Sequence, residues 1–214
     1  MAHQTITALY DSYDDASNAV AKLESSGISH SDISIVSSNE NDRHSGRLAS
    51  TDTTRRHTTE TAETASTGAG TGAGVGTLLG GAAGLLTGLG LLAIPGVGPV
   101  VAAGWLVTTL TGAGIGAAAG GLVGGLTGAG LSEADAHTYS EGVRRGGTLV
   151  TVKVDDARAS HVMDVLEEHG SVNVTERAEG WKADGWTAPS ATPSDTATLP
   201  GARPGVRSYP TGPL

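Results

Sequence analysis

The chain has 214 residues, room for one or two domains, but it lacks phenylalanine, is only 3% aromatic and carries 33 glycines, which argues against one large core. A formal charge of -9 argues against nucleic acid as a partner, because phosphate binding needs a basic face. With no cysteine there are no disulfides, no thiol catalysis and no thiolate metal sites.

The first segment reads strand, helix, strand. Thr5 to Tyr10 is short and β-prone, with Ile6, Ala8 and Tyr10 on one side. Ser12 is a good N-cap, Asp14 and Asp15 suit the first turn, and Tyr13, Ala16, Val20 and Leu23 repeat at helical spacing until Gly27. Asp32 to Val36 makes the second strand. No basic start or apolar run precedes it, so no secretory signal is expected and the N-terminus is expected in the cytoplasm. From Ser37 to Ser66 the composition turns to Ser, Thr, Asn, Glu, Arg and His, as in a flexible polar linker.

Between Thr64 and Ser132 there is no charged residue, and glycine recurs at every fourth position through most of the stretch. Gly68, Gly72, Gly76, Gly80, Gly84 and Gly88 form one ladder; Gly112, Gly116, Gly120, Gly124 and Gly128 form a second. That spacing lines one helix face with a flat groove for a second helix, a packing at home in a bilayer or a dry interface. The turn between them is expected at Pro95, Gly96, Gly98 and Pro99. Helices are therefore expected over Thr71 to Ile94 and Val100 to Gly130, roughly 36 Å and 46 Å long at 1.5 Å per residue, against a hydrocarbon core of about 30 Å. Arg43, Arg47, Arg55 and Arg56 before the hairpin, and Arg144 and Arg145 after it, orient both flanks to the cytoplasm. The soluble alternative is a cytoplasmic oligomer that buries the hairpin's leucines between copies.

Ser132 caps a further short helix, Thr148 to Val154 is the clearest strand, and Asp155 and Asp156 open a helix that Gly170 closes. Val172 to Val174 is expected as a final strand, and 179–214, rich in Pro, Gly, Ser and Thr, as a disordered tail. The Trp181–Trp186 segment is odd for a tail; it could dock on the sheet, bind a partner or touch a membrane surface. The fold class expected is α+β: a ferredoxin-like pair of βαβ halves at 1–37 and 132–178 forming a four-stranded antiparallel sheet. The linker at 38–67 and the glycine-zipper hairpin at 68–131 interrupt it.

Leu9 to Ala16, Gly27-Ile28 before Asp32 to Val36, Ala93 to Val100, and Glu141 to Gly147 leading into a strand resemble, in this order, bacterial general stress proteins with a heat-induced stress domain. The resemblance spans roughly Ile6 to Glu176. It implies a bacterial stress-response protein with a glycine-rich, often membrane-annotated middle, and it implies no catalytic residues.

Residue patterns that carry chemistry are scarce. No lysine lies between Lys22 and Lys153, so a Walker-type phosphate loop fails. Gly88 to Ala93 matches a loose dinucleotide fingerprint but follows no strand. His3, His30, His44, His57, His137, His161 and His169 form no metal-binding spacing. Asp14-Asp15 and Asp155-Asp156 sit at helix starts, where acidic residues favour the dipole, and Glu167-Glu168 has no evident partner. The expectation is a non-enzymatic stress protein with no catalytic residue, cofactor or metal. Membrane lipid is its expected partner, with homo-oligomers formed through the glycine hairpin. Its expected place is the bacterial inner membrane, both termini in the cytoplasm, and a soluble oligomeric scaffold or small-ligand sensor is the alternative.

Overall fold

The computed structural model describes residues 3–39, 90–94, 98–107, 114–187 and 203–211. They form a mixed α/β structure around one antiparallel sheet. Strand β1 (His3–Tyr10) leads to α1 (Tyr13–Ser25), a 3-10 turn (His30–Asp32) and β2 (Ile33–Ser38). Strands β3 (Gly90–Ile94) and β4 (Gly98–Gly104) precede α2 (Gly114–Gly128) and α3 (Glu133–Arg144). Then come β5 (Thr148–Asp155), α4 (Asp156–Glu168), α5 (Val174–Ala183) and β6 (Val206–Thr211). The six strands lie in the order β3-β4-β2-β5-β1-β6.

Local chemistry explains most of the helix ends. The Ser12 hydroxyl accepts from the Asp14 amide and the Ser132 hydroxyl from the Asp135 amide, each satisfying a first-turn donor. Gly27 and Gly170, at φ +88° and +83°, take the left-handed conformation that lets the chain leave α1 and α4.

Period-two alternation gives the sheet two buried faces. Ile6, Ala8 and Tyr10 of β1, Ile35 of β2, Val101 of β4 and Val150, Val152 and Val154 of β5 pack with α1 and α4. Leu9, Val36, Val100, Ala102, Leu149 and Tyr209 face the other way, under Leu122 and Leu126 of α2, Tyr139 and Val143 of α3 and Trp181 of α5. The result is three layers, with helices on both sides of the sheet.

The sheet has six strands where four were expected, and four expectations need correction. Residues assigned to the inner ends of two long helices are strands instead: Gly90–Ile94 pairs with Gly98–Gly104, and β4 pairs in turn with β2. Val100 and Val101 are β-branched, and buried on opposite faces they suit a pleated strand between two layers. A charge-free, glycine-rich run has no strong helical preference of its own, so sheet pairing decides its state. Second, α2 is shorter than the expected Val100 to Gly130 and is broken at Gly121, whose φ of 47° and ψ of -130° are not helical. Among the described residues, no helix is long and apolar enough to cross a membrane. Third, Val172 to Val174 is not a strand. Val172 makes a single bridge to Leu9, after which the Asn173 side chain accepts from the Thr175 and Glu176 amides and starts α5.

Fourth, parts of the expected tail are ordered: Glu179 to Ala183 completes α5, and Val206–Thr211 pairs with His3 to Ala8 along the edge of β1. Trp181 is buried and Trp186 meets it edge-on with ring centroids 6.1 Å apart, so this segment docks on the domain. At the linker's start, Ser37 and Ser38 belong to β2 and are buried.

Candidate functional site

The face of the sheet under α2, α3 and α5 carries a polar row across four strands. Ser34 of β2 pairs with Thr151 of β5, Thr151 with Thr7 of β1, and Thr7 with Arg207 of β6. One register step along lies a second row, Lys153 beside Thr5 and Thr5 beside Tyr209. These residues alternate with the valines, isoleucines and alanines that face α1 and α4, so the pleat itself turns them toward the other helical layer. Neighbouring strands are about 4.8 Å apart, so the side chains stand shoulder to shoulder.

Two members of the rows are satisfied by carbonyls. The Thr5 hydroxyl donates to the Ala129 carbonyl at 2.7 Å, and Ser34 donates to the Ala103 carbonyl at 2.9 Å. Others are not. Thr7 and Thr151 are 0% and 1% exposed, and the Thr151 hydroxyl has no hydrogen-bond partner among the described residues. Tyr139 comes down from α3 to within hydrogen-bonding reach of Thr7 and Tyr209, and Tyr209 lies within the same reach of Arg207. Burying hydroxyls costs about 1–3 kcal/mol for each one left without a partner, so mutual hydrogen bonding within the row favours this arrangement.

An ion pair closes the outer end of the row. Arg207 donates one nitrogen to Asp135 and another to the Thr175 hydroxyl, with its side chain 26% exposed. Burial opposes its charge, but Tyr139, Tyr209 and Asp135 around it, with a hydrogen bond to Tyr209, hold the guanidinium above its ordinary range. Burial pushes the Tyr139 and Tyr209 phenols well up, so both stay protonated donors at neutral pH. At the rim of the second row, the Lys153 ammonium sits 3.7 Å from the centroid of the Trp105 ring, a cation–π contact.

A separate cluster surrounds Glu141. Arg144 grips its carboxylate with two nitrogens at 2.6 Å, and Arg145 adds a third contact at 2.6 Å while lying over the Trp181 ring at 5.4 Å. Gly142 and Gly147 complete this motif for steric reasons. A Cβ on Gly142 would come within 2.7 Å of Leu9, and one on Gly147 within 2.8 Å of the Gly142 carbonyl. In the Glu141 to Gly147 block, then, the charges and glycines dock α3 against β1 and α5.

The glycine ladders fare differently. Gly68, Gly72, Gly76, Gly80, Gly84, Gly88 and Gly112, with the turn residues Pro95 and Gly96, lie outside the described residues. Gly116, Gly120, Gly124 and Gly128 are all in α2. Gly124 and Gly128 are exposed while Leu122 and Leu126 are buried, so this end of the ladder faces away from the sheet. Gly98 opens β4 opposite Ile94, and Pro99 pairs with Ala93, so the described residues on either side of the expected turn are strands and not helices. Among the described residues, no three histidine or acidic side chains gather as metal ligands. Asp14 and Asp15 lie in the first turn of α1, and Asp155 pairs with Arg158 at 3.2 Å.

The polar row escapes a reading that follows only apolar residues. Its signal was the off-core parity of β1, where Thr5 and Thr7 alternate with Ile6 and Ala8. What gives those threonines meaning is the second helical layer, which buries them. No family model, curated protein or solved structure matches the chain.

Proposed function

We propose that this chain is a non-enzymatic stress-response protein whose ferredoxin-like core binds a small molecule on the helix-covered face of its sheet. The central order β2-β5-β1, with α1 and α4 on one side, supports a split βαβ arrangement in which β6 and the Val172 bridge share the place of the fourth strand. The general-stress resemblance supplies the biological setting. The observation that carries the binding role is the buried polar cluster of Thr7, Thr151, Tyr139 and Tyr209 beside the Arg207–Asp135 pair. Thermal unfolding of the full chain against a panel of small metabolites tests it. At least one compound should raise the midpoint in the wild type and not in Thr7→Val/Thr151→Val. A flat response across the panel counts against ligand binding.

A second role has its own support. The absence of charge from Thr64 to Ser132 and the outward-facing Gly124 and Gly128 favour self-association through the glycine-rich segment, on or in a membrane. Carbonate extraction should then leave the protein in the membrane pellet, and Gly84→Leu or Gly120→Leu should shrink the cross-linked oligomer in detergent. Recovery in the supernatant removes the membrane part, and an unchanged oligomer removes the glycine contacts.

A further inference from the structure

We infer that β3 is an interface to a second copy of this chain, joined edge to edge by antiparallel main-chain pairing about a two-fold axis at Leu92. The contact gives the self-association proposed above a second surface. It uses none of the helical glycines, so it stands or falls separately from them.

The pleat settles which main-chain groups of β3 point outward. The Asn39 amide donates to the Pro99 carbonyl at 2.8 Å, so Pro99 turns its main-chain groups toward β2. Successive residues of a strand turn theirs to opposite edges, so Val101 and Ala103 follow Pro99 while Gly98, Val100 and Ala102 address β3. The bond from the Ser34 hydroxyl to the Ala103 carbonyl agrees with this parity. The partners of those three, Ile94, Leu92 and Gly90, turn their own groups back to β4. Leu91 and Ala93 are left with N–H and C=O directed away from the sheet, and among the described residues no strand pairs with them there.

The opposite edge of the sheet is closed. The Val172 amide donates to the Leu9 carbonyl on that side of β1, so Thr7, Thr5 and His3 face β6, where Arg207, Tyr209 and Thr211 answer them. Val206, Ser208 and Pro210 therefore face out. Val206 exchanges both its main-chain bonds with Arg203, at 3.2 and 3.4 Å, and Pro210 has no N–H to offer. The run Gly90–Ile94 contains neither a charge nor a proline, two devices that blunt an edge against pairing. One edge is finished and the other is not.

A second copy fits the open edge because it brings the same groups. With Leu92 opposite its own copy, Leu91 of each chain meets Ala93 of the other, and each of these pairs exchanges both main-chain bonds. No charge lies in β3 to repel its copy. The two-fold contact uses up the strand, and the closed β6 edge gives a third chain nowhere to add, so growth of the sheet ends at a dimer.

The test exploits the absence of cysteine from the chain. Full-length protein carrying Leu91→Cys, Leu92→Cys or Ala93→Cys singly is oxidised gently in mild detergent, and the covalent dimer is followed on a non-reducing gel. Position 92 would meet its copy with Cα atoms about 4.5 Å apart, within disulfide range. Positions 91 and 93 would meet their own copies only diagonally, at about 7–8 Å. Leu92→Cys should therefore cross-link about tenfold faster than either neighbour. Adding Ala93→Pro removes an outward N–H and none aimed at β4, so it should abolish the cross-link while leaving the thermal midpoint unchanged. Adding Gly84→Leu should leave the cross-link in place. Equal rates at all three positions mean random collision and overturn the pairing. No cross-link at position 92 means that another segment of the chain covers β3 and overturns it too. A cross-link that survives Ala93→Pro and disappears with Gly84→Leu assigns the association to the helical glycines instead.

Discussion

A Cβ placed on Gly104 would lie 2.1 Å from the carbonyl oxygen of Ile33, and Gly104 sits at φ +93°. The end of β4 therefore approaches β2 more closely than any side chain permits. Gly104→Ala is expected to cost on the order of 3 kcal/mol, from the left-handed backbone and the clash with fixed main chain. Gly128, a member of the glycine ladder, has nothing within 4 Å of where an added methyl would sit, so Gly128→Ala should change stability by no more than about 1 kcal/mol and toward stabilisation. Urea unfolding of the two variants compares them directly; equal destabilisation would mean that Gly128 also meets a neighbour.

The threonines of the rows should separate by partner. Thr5 donates to a carbonyl, so Thr5→Val should destabilise the ligand-free protein by about 1 kcal/mol and strand a buried acceptor. Thr151 bonds to nothing, so Thr151→Val should be neutral or stabilising. Chemical denaturation in ligand-free buffer measures both. A destabilised Thr151→Val under those conditions would show that water already satisfies the hydroxyl.

Alkaline pH should unfold the chain steeply. Burial raises Tyr10, Tyr139 and Tyr209, and Tyr10 also donates to the Leu166 carbonyl at 2.8 Å. In the unfolded chain each tyrosine ionises near pH 10, while the folded protein keeps its protons. Above pH 10 the unfolded state binds fewer protons, so stability is intact below that value and falls as pH rises past it. The slope is about 1.4 kcal/mol per pH unit for each tyrosine. Denaturation midpoints between pH 9 and 11 provide the check, and a flat profile would contradict the burial of these phenols.

The acid side depends on Glu141. Burial alone would raise its carboxyl, but the hydrogen bonds and charges of Arg144 and Arg145 outweigh that and hold it below the ordinary carboxylate range. Its contribution is present above that range and is lost as pH falls through it toward the folded value. Glu141→Gln should lower stability at pH 7 by about 1.5–3 kcal/mol and flatten the acid limb. The comparison is a pH series of urea midpoints for wild type and variant.

How far the sequence revealed the fold depends on the range of the interactions. β1, α1, β2, β5 and α4 carry their own signals in alternation, caps and closing glycines, all within a few residues of where they act. β3 and β4 carry none, because a run of Gly, Leu, Ala and Val satisfies helix, membrane span and strand alike. Pairing of Ser34 to Ser38 with Val100 to Gly104, far apart in the chain, is what selects the strand. β6 hides in a tail whose Pro, Gly and Ser content looks unstructured, and its order comes from pairing with β1. Arg203 adds to that order through its ion pairs with Asp164 and Glu167. The binding row was legible only as the unused parity of a strand, since burial by α2 and α3 cannot be read from β1 alone.

Strand β1 is made first, yet its hydrogen-bonding neighbours are residues 148–155 and 206–211. During synthesis it must wait beside a growing stretch of glycine-rich chain until both arrive, and ordering by such distant partners is slow. A protein built this way leaves a bare, β-prone edge open at least until residues 148–155 have been made. Its dependence on chaperones should therefore be set by its first eight-residue strand more than by its apolar middle.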